Sequence, residues 1–160
     1  MIIIKFESGG ALKIKESTLD SFNFDKMLLH TAIFEGYSLR KASLRQANLR
    51  SANFAYCILD EADFTDALLM NTNFIGASLI KSNLSNSKFN GACFSGANLQ
   101  GANLCSADLF SANLDDTNLK GANLDSLRID YASFIGAIYD HDTRWPKNFF
   151  PERKGAILKA

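Results

Sequence analysis

Valine is absent from this sequence of 160 residues, and proline occurs only twice, tryptophan once, histidine twice and cysteine three times. The cysteines, Cys57, Cys93 and Cys105, are odd in number and show no CxxC spacing, which excludes a disulfide framework and a cysteine-based zinc site. Net charge is missing too. Lys and Arg number 17 and Asp and Glu number 17, so no bulk field draws the chain to nucleic acid or to a membrane surface. No apolar run approaches the length of a transmembrane helix. The opening Met1-Ile-Ile-Ile-Lys-Phe lacks a basic leader region and a cleavage site, so the expected location is cytoplasmic. No phosphate-binding loop, nucleophile triad or cofactor fingerprint occurs, and the expectation is a protein that is not an enzyme and holds no cofactor or metal. What is present is skewed: Leu, Ala and Asn number 20, 19 and 14. That skew signals a repeat.

Every fifth residue from Leu19 to Phe134 is Leu or Phe, with Ile129 the one exception among 24 positions. Two residues before each stands a small side chain, Ala in fourteen cases, and only Phe22, Met27, Tyr37 and Leu127 are large there. The residue directly before the Leu or Phe is Asn or Asp in twelve cases, as in Ala97-Asn98-Leu99 and Ala102-Asn103-Leu104. A period of five is neither helical nor that of a simple strand. Fixed-period self-similarity over this length means a solenoid, in which each repeat buries its apolar face against neighbouring turns.

The motif A(N/D)LXX resembles that of the pentapeptide-repeat family, over Ser17 to Gly136. The resemblance implies an all-β fold, a right-handed quadrilateral β-helix of about six coils, four pentapeptides to the coil. The Leu or Phe and the small residue then point inward.

A return to the same face every twenty residues has a consequence in the sequence. Residues i and i+20 would sit one strand spacing apart, where opposite charges are favoured and like charges avoided. At that separation there are ten charged pairs and all ten are opposite, among them Asp20/Arg40, Asp25/Arg45, Arg40/Asp60, Lys41/Glu61, Lys88/Asp108 and Asp108/Arg128. Separations of ten and fifteen show no such bias. The inward columns sort as well: positions 34, 54, 74, 94 and 134 are Phe, and 19, 39, 59, 79, 99 and 119 are Leu. Gly36, Gly76, Gly96 and Gly136 share a corner column where a missing Cβ eases a tight turn.

Solenoid ends need covers. Residues 1–16 read as a strand pair or hairpin around Ser8-Gly9-Gly10, residues 17–136 as the β-helix and residues 137–160 as a C-terminal cap, all within one domain. Tyr139, Trp145, Phe149 and Phe150 are the expected capping residues, with Pro146 and Pro151 arguing against a continuous helix. The Trp-Pro…Phe-x-Pro…Gly-Ala tail is similar to the endings of cyanobacterial family members.

Few residues suggest chemistry. Cys57 falls in an inward slot, and Cys93 and Cys105 have no base beside them. Asp63 with Asp66, and Asp115 with Asp116, lack opposite partners one coil away, which leaves a weak cation site open. The leading expectation is a non-catalytic protein-interaction or regulatory scaffold, a monomer or homodimer with an unidentified protein partner. The resemblance supports this, since one cyanobacterial family member is associated with regulating heterocyst differentiation through protein contacts. The alternative is a DNA mimic that modulates DNA gyrase or topoisomerase, as the resemblance to the quinolone-resistance branch implies. Such a mimic needs a strongly negative rod, whereas residues 17–136 carry twelve acids and nine bases. Outward apolar side chains mark the expected partner contact: Leu68, Met70, Ile75 and Phe110, edged by Arg50 and Lys88.

Overall fold

The fold follows from one corner repeated. In a computed structural model covering residues 1–160, each pentapeptide turns the chain once. The N–H of the small residue donates to the carbonyl of the preceding Leu or Phe, as from Cys57 to Phe54 (3.1 Å) and from Ala62 to Leu59 (3.0 Å). The second of the two residues between them, at the third position of the β-turn, is left-handed. Twenty-two corners between Ser21 and Gly136 adopt that conformation, and only seven of them are glycine. A left-handed L-residue costs roughly 1–2 kcal/mol, so something must hold the fifteen others. In all but Ser111 it is their own N–H, which donates to a carbonyl of the next coil, as from Tyr56 to Ile75 and from Lys81 to Gln100, both at 2.9 Å. Gly36, Gly76, Gly96 and Gly136 do occupy such corners (φ 62 to 74°), yet Tyr56 and Asp116 make the same turn in the same column.

Between corners the chain pairs with itself in parallel. Bridges join residues twenty apart from Asn23↔Ser43 through Asn103↔Asn123. Phe24 N–H donates to Ser43 O (2.7 Å) and Ser43 N–H to Phe22 O (3.0 Å), a pattern carried along the stack. This arrangement, nearly all strand bridges and almost no helix, agrees with a β-helix. The inward Leu and Phe side chains form one continuous core with the Ala column. Ring spacing in the Phe column is set by the coil spacing: Phe34–Phe54, Phe54–Phe74 and Phe74–Phe94 stack at 4.7, 5.3 and 4.9 Å with planes within 5°.

One stretch departs from the repeat. Asp108 bridges Leu127, nineteen residues on, before the twenty-residue register resumes at Asn113↔Ser133. The period of five puts Leu127 in a small inward slot; the structure instead leaves it 57% exposed. Ser126 fills that slot and its hydroxyl donates to Leu104 O at 2.8 Å. A leucine is too large for a position held by Ala, Ser, Thr or Cys in every repeat from Ala42 to Ala122, so the chain shortens one corner. Left-handed Arg128, an extra residue between Ser126 and Ile129, restores the count and keeps Ile129 inward, and the next corner closes as a 3₁₀ turn at Ile129–Tyr131.

The ends differ in kind. Strands β1 (Ile2–Phe6) and β2 (Ala11–Ile14) form an antiparallel hairpin, and β1 also pairs antiparallel with β3 (Ala32–Ile33), which ends the parallel ladder. Ile4 and Ile14 enter the core, and the oversized Phe22, Met27 and Tyr37 pack against it from this end. At the other end β4 (Ile138–Tyr139) pairs in parallel with β5 (Ile157–Leu158). Trp145 and Phe149 lie over Phe134 at 5.5 and 5.8 Å, and Trp145 meets Tyr139 edge-on at 5.5 Å. Phe150, expected among the capping side chains, is 51% exposed and lies beneath the Arg153 guanidinium at 4.5 Å. No helix is long and apolar enough to cross a membrane.

Candidate functional site

Since the inside is filled, any recognition falls to side chains on the outside. How they are held starts with a backbone problem. The amide after each inward Leu or Phe faces outward at a corner and needs an acceptor. Where the preceding residue is Asn or Asp, its side-chain oxygen takes that amide, as Asn53 does from Ala55 (3.0 Å), Asn73 from Ile75 (3.0 Å) and Asn113 from Asp115 (2.8 Å). The Asn column is therefore structural.

Where that residue is Ser, a second device replaces it. Asp20 Oδ1 accepts from the Ser38 hydroxyl (2.6 Å) and from Arg40 N–H (2.9 Å), one coil away. Asp25 does the same with Ser43 and Arg45, Asp60 with Ser78 and Ile80, and Asp115 with Ser133 and Ile135. All four Ser that directly precede an inward residue have an Asp eighteen residues earlier. The charge pattern at twenty concealed this signal at eighteen.

Three of the ten expected pairs form ion pairs: Arg40–Asp60 (2.8 Å), Lys41–Glu61 (3.6 Å) and Arg128–Asp108. Asp20 and Asp25 spend their carboxylates on serine and backbone, and Arg45 reaches Asp63 at 3.8 Å. Of the acids considered for a cation, Asp115 is occupied as described and Asp63 accepts from Thr65 through both backbone (2.9 Å) and hydroxyl (2.5 Å). No three His, Cys, Asp or Glu side chains converge as a metal site.

Cys57 is buried, donates to Phe34 O at 2.8 Å, and burial pushes its thiol up to about 12. Tyr139 donates to the Glu152 carboxylate, a latch on the cap; burial and that partner push its hydroxyl up to about 12, and the same bond holds Glu152 below the usual range.

Of the outward apolar residues, Leu68 and Met70 flank buried Leu69 and are half-buried, whereas Ile75 and Phe110 are each 37% exposed. Backbone bonds from Asn71 to Asn90 O and from Gly91 to Phe110 O put Met70, Asn90 and Phe110 in one column. Phe110 takes its ring contacts from the break in the repeat: Tyr131 at 5.2 Å and the Arg128 guanidinium at 4.7 Å. Arg128 also bonds Asp108, holding that carboxyl below its usual value, and Asn90 donates to the same Asp108 at 3.3 Å. Sequence reasoning paired Arg128 with Asp108 but missed its contact with Phe110, and missed Tyr131, because the period of five does not reveal the shortened corner. Ile75 lies on the adjoining Phe face near Tyr56, whose ring spans the Cβ-free space of Gly76.

This repeating corner, with its small, Asn and Leu columns, is that of the pentapeptide repeats: the family model matches residues 32–66, 67–105 and 106–138 in eight copies, and the chain belongs to this family. Among solved structures, it is similar to HetL of the cyanobacterium Nostoc sp. strain PCC 7120, a pentapeptide repeat protein involved in heterocyst differentiation regulation. The likeness is 21% identity over 91% of this chain and 88% of that one, with a TM-score of 0.61. A trypsin-treated variant of QnrB1, a plasmid-mediated fluoroquinolone resistance protein, is 14% identical over 89% of each chain, with a TM-score of 0.51. Rfr23, a pentapeptide repeat protein of the cyanobacterium Cyanothece 51142, is 34% identical over 64% of this chain and 63% of its own, with a TM-score of 0.44. No curated protein matches.

Proposed function

We propose that this chain is a right-handed square solenoid of about six coils serving as a non-catalytic scaffold that presents its outward side chains to a cytoplasmic protein partner. One observation carries the reading. The inward columns are consumed by the core, while the Leu69 face displays Leu68, Met70 and Phe110 on a backbone whose corners are fixed by backbone bonds between coils, with Asp108 also holding the Phe110 amide. A rigid lattice of that kind loses little conformational freedom on binding. Affinity capture from the source cell, with wild-type protein and the Met70→Glu/Phe110→Glu variant as baits, tests it. A protein retained by the wild type and lost by an equally stable variant is the expected outcome. Identical captures with both baits would overturn the assignment of this face.

The alternative, a duplex mimic acting on DNA gyrase, draws on the likeness in fold to QnrB1. It is the weaker reading, because residues 17–136 carry twelve acids against nine bases and Asp60, Glu61, Asp63 and Asp108 are each paired with a cation. Purified gyrase should keep its supercoiling activity when the protein is added.

A further inference from the structure

Resting on the scaffold reading, a partner chemistry can be drawn from the charges on the Leu69 face. Lys88 and Asp108 pair in the backbone ladder, and the sequence pattern makes them an ion pair. Arg128, one coil to the other side, is equally an expected partner, and in the structure it is Arg128 that takes Asp108, with Asn90 adding a second donor. Lys88 is left without an ion pair. Arg50, on the same face, has none either. Between these two cations lies an apolar patch: Leu68 bridges Lys88, and Met70 O accepts from Ser51, the residue after Arg50. Phe110 continues the patch one coil beyond Lys88. A further carboxylate, Asp66, stands on the corner at the edge of the strip.

We propose that this face docks an acidic amphipathic α-helix of a partner protein, lying along the rod. Arg50 and Lys88 are two coils apart, about 10 Å at the strand spacing. Carboxylates seven residues apart on a helix are separated by about 10.5 Å. The apolar residues at the third and fourth positions between them then meet Leu68 and Met70. Charge, spacing and apolar content agree on this occupant. A nucleic-acid backbone has no apolar stripe to offer Met70 and Phe110, and two unpaired cations are too few to hold a duplex at physiological salt.

The test uses the full chain and a synthetic helical peptide of about eighteen residues with Glu at heptad spacing and Leu between. A Lys-for-Glu version, an unlabelled DNA duplex and vesicles of phosphatidylcholine with phosphatidylserine serve as competitors. Fluorescence anisotropy should show binding of the acidic peptide, with affinity falling about tenfold from low to moderate salt. Arg50→Glu/Lys88→Glu should weaken binding at least about tenfold, and Met70→Glu/Phe110→Glu should do likewise. Lys41→Glu/Glu61→Lys, on another column, should leave it unchanged. The proposal falls if the Lys peptide binds equally well, if DNA or vesicles displace the acidic peptide, if the control variant weakens it as much, or if no binding is seen. The scaffold reading is separable: should capture from cells depend on Met70 and Phe110 but not on Arg50 and Lys88, the scaffold stands and the acidic helix is wrong.

Discussion

The regular coils and the stretch from Asp125 to Tyr131 make the same stack by different rules. In the regular coils every repeat has five residues and a left-handed residue at a fixed place, and most corners have an outward oxygen for the exposed amide. In the break one corner is a residue shorter, with Ser126 N–H bonded to Leu124 O at 2.6 Å, and the face after it is a residue longer, with Leu127 and Arg128 between buried Ser126 and Ile129. Even so, Ile129 reaches the core. The inward slots therefore govern register and the corners accommodate them. A side chain too large for its slot is tolerated at the N-terminal end, where Phe22, Met27 and Tyr37 have the hairpin beside them. Within the stack Leu127 is expelled and its neighbour takes the slot.

The strongest way to break this comparison is to force a register error that no corner can absorb. Deleting Ala77–Lys81 moves every later residue to a neighbouring face, and should remove most of the roughly 5–15 kcal/mol expected of a domain. Deleting Ala77–Gly96 closes each column on itself and should leave a cooperative melt. Equal loss in the two deletions would refute the twenty-residue register. Next in size is a matched truncation. Leu84→Ala opens a hole in a narrow core and should cost about 2–5 kcal/mol, whereas Leu127→Ala, at an expelled side chain, should stay within about 0.5 kcal/mol. Denaturant titrations of both variants measure the contrast.

A smaller effect sharpens the electrostatic side of the break. Arg128 holds the Asp108 carboxyl below its ordinary value of 3.8, chiefly by hydrogen bonding. A lowered folded-state pKa contributes stability that is full above the unfolded value and is lost as pH falls through the folded one. Arg128→Gln should therefore melt about 1–2 °C below wild type at pH 7, and the gap should close as the pH is taken below that of an ordinary carboxylate. A gap that persists in acid would mean that Arg128 acts through packing on Phe110 instead.

Much of the architecture was legible because a repeat writes its geometry many times over. The period of five, the bridges at twenty and the aromatic column all read directly from residues 19–134. Ion pairing was less legible, since equal separation does not say which acceptor a carboxylate prefers. Asp20 and Asp25 sit one coil from Arg40 and Arg45 yet bond Ser38, Ser43 and two amides, which offer short, fixed donors in place of flexible guanidinium groups. On the Leu69 face, Leu68, Met70 and Phe110 were visible as outward residues. The packing of Arg128 and Tyr131 on the Phe110 ring was not, because the one trace of the shift is the oversized Leu127 in a pattern that still reads Ile129 and Phe134 in phase.

The smallest effect tests whether exposed charge columns matter to register at all. Lys41, Glu61 and Lys81 occupy successive left-handed corners of one column, and the Lys41–Glu61 pair is 3.6 Å apart with both side chains more than half exposed. Such a pair is worth about 0–1 kcal/mol, so its loss alone should be barely measurable. Exchanging the two charges keeps that pair but sets Glu61→Lys against Lys81, a like pair one strand spacing apart. The exchange should lower the melting point by about 1–2 °C at low salt, and adding Lys81→Glu should restore it by returning the alternation. High salt should erase both changes, since exposed charges are screened within about 8–10 Å. A drop that Lys81→Glu does not repair would place the cost in the left-handed corners themselves, where the new side chains must sit, and would reduce the charge alternation at twenty to a feature of solubility.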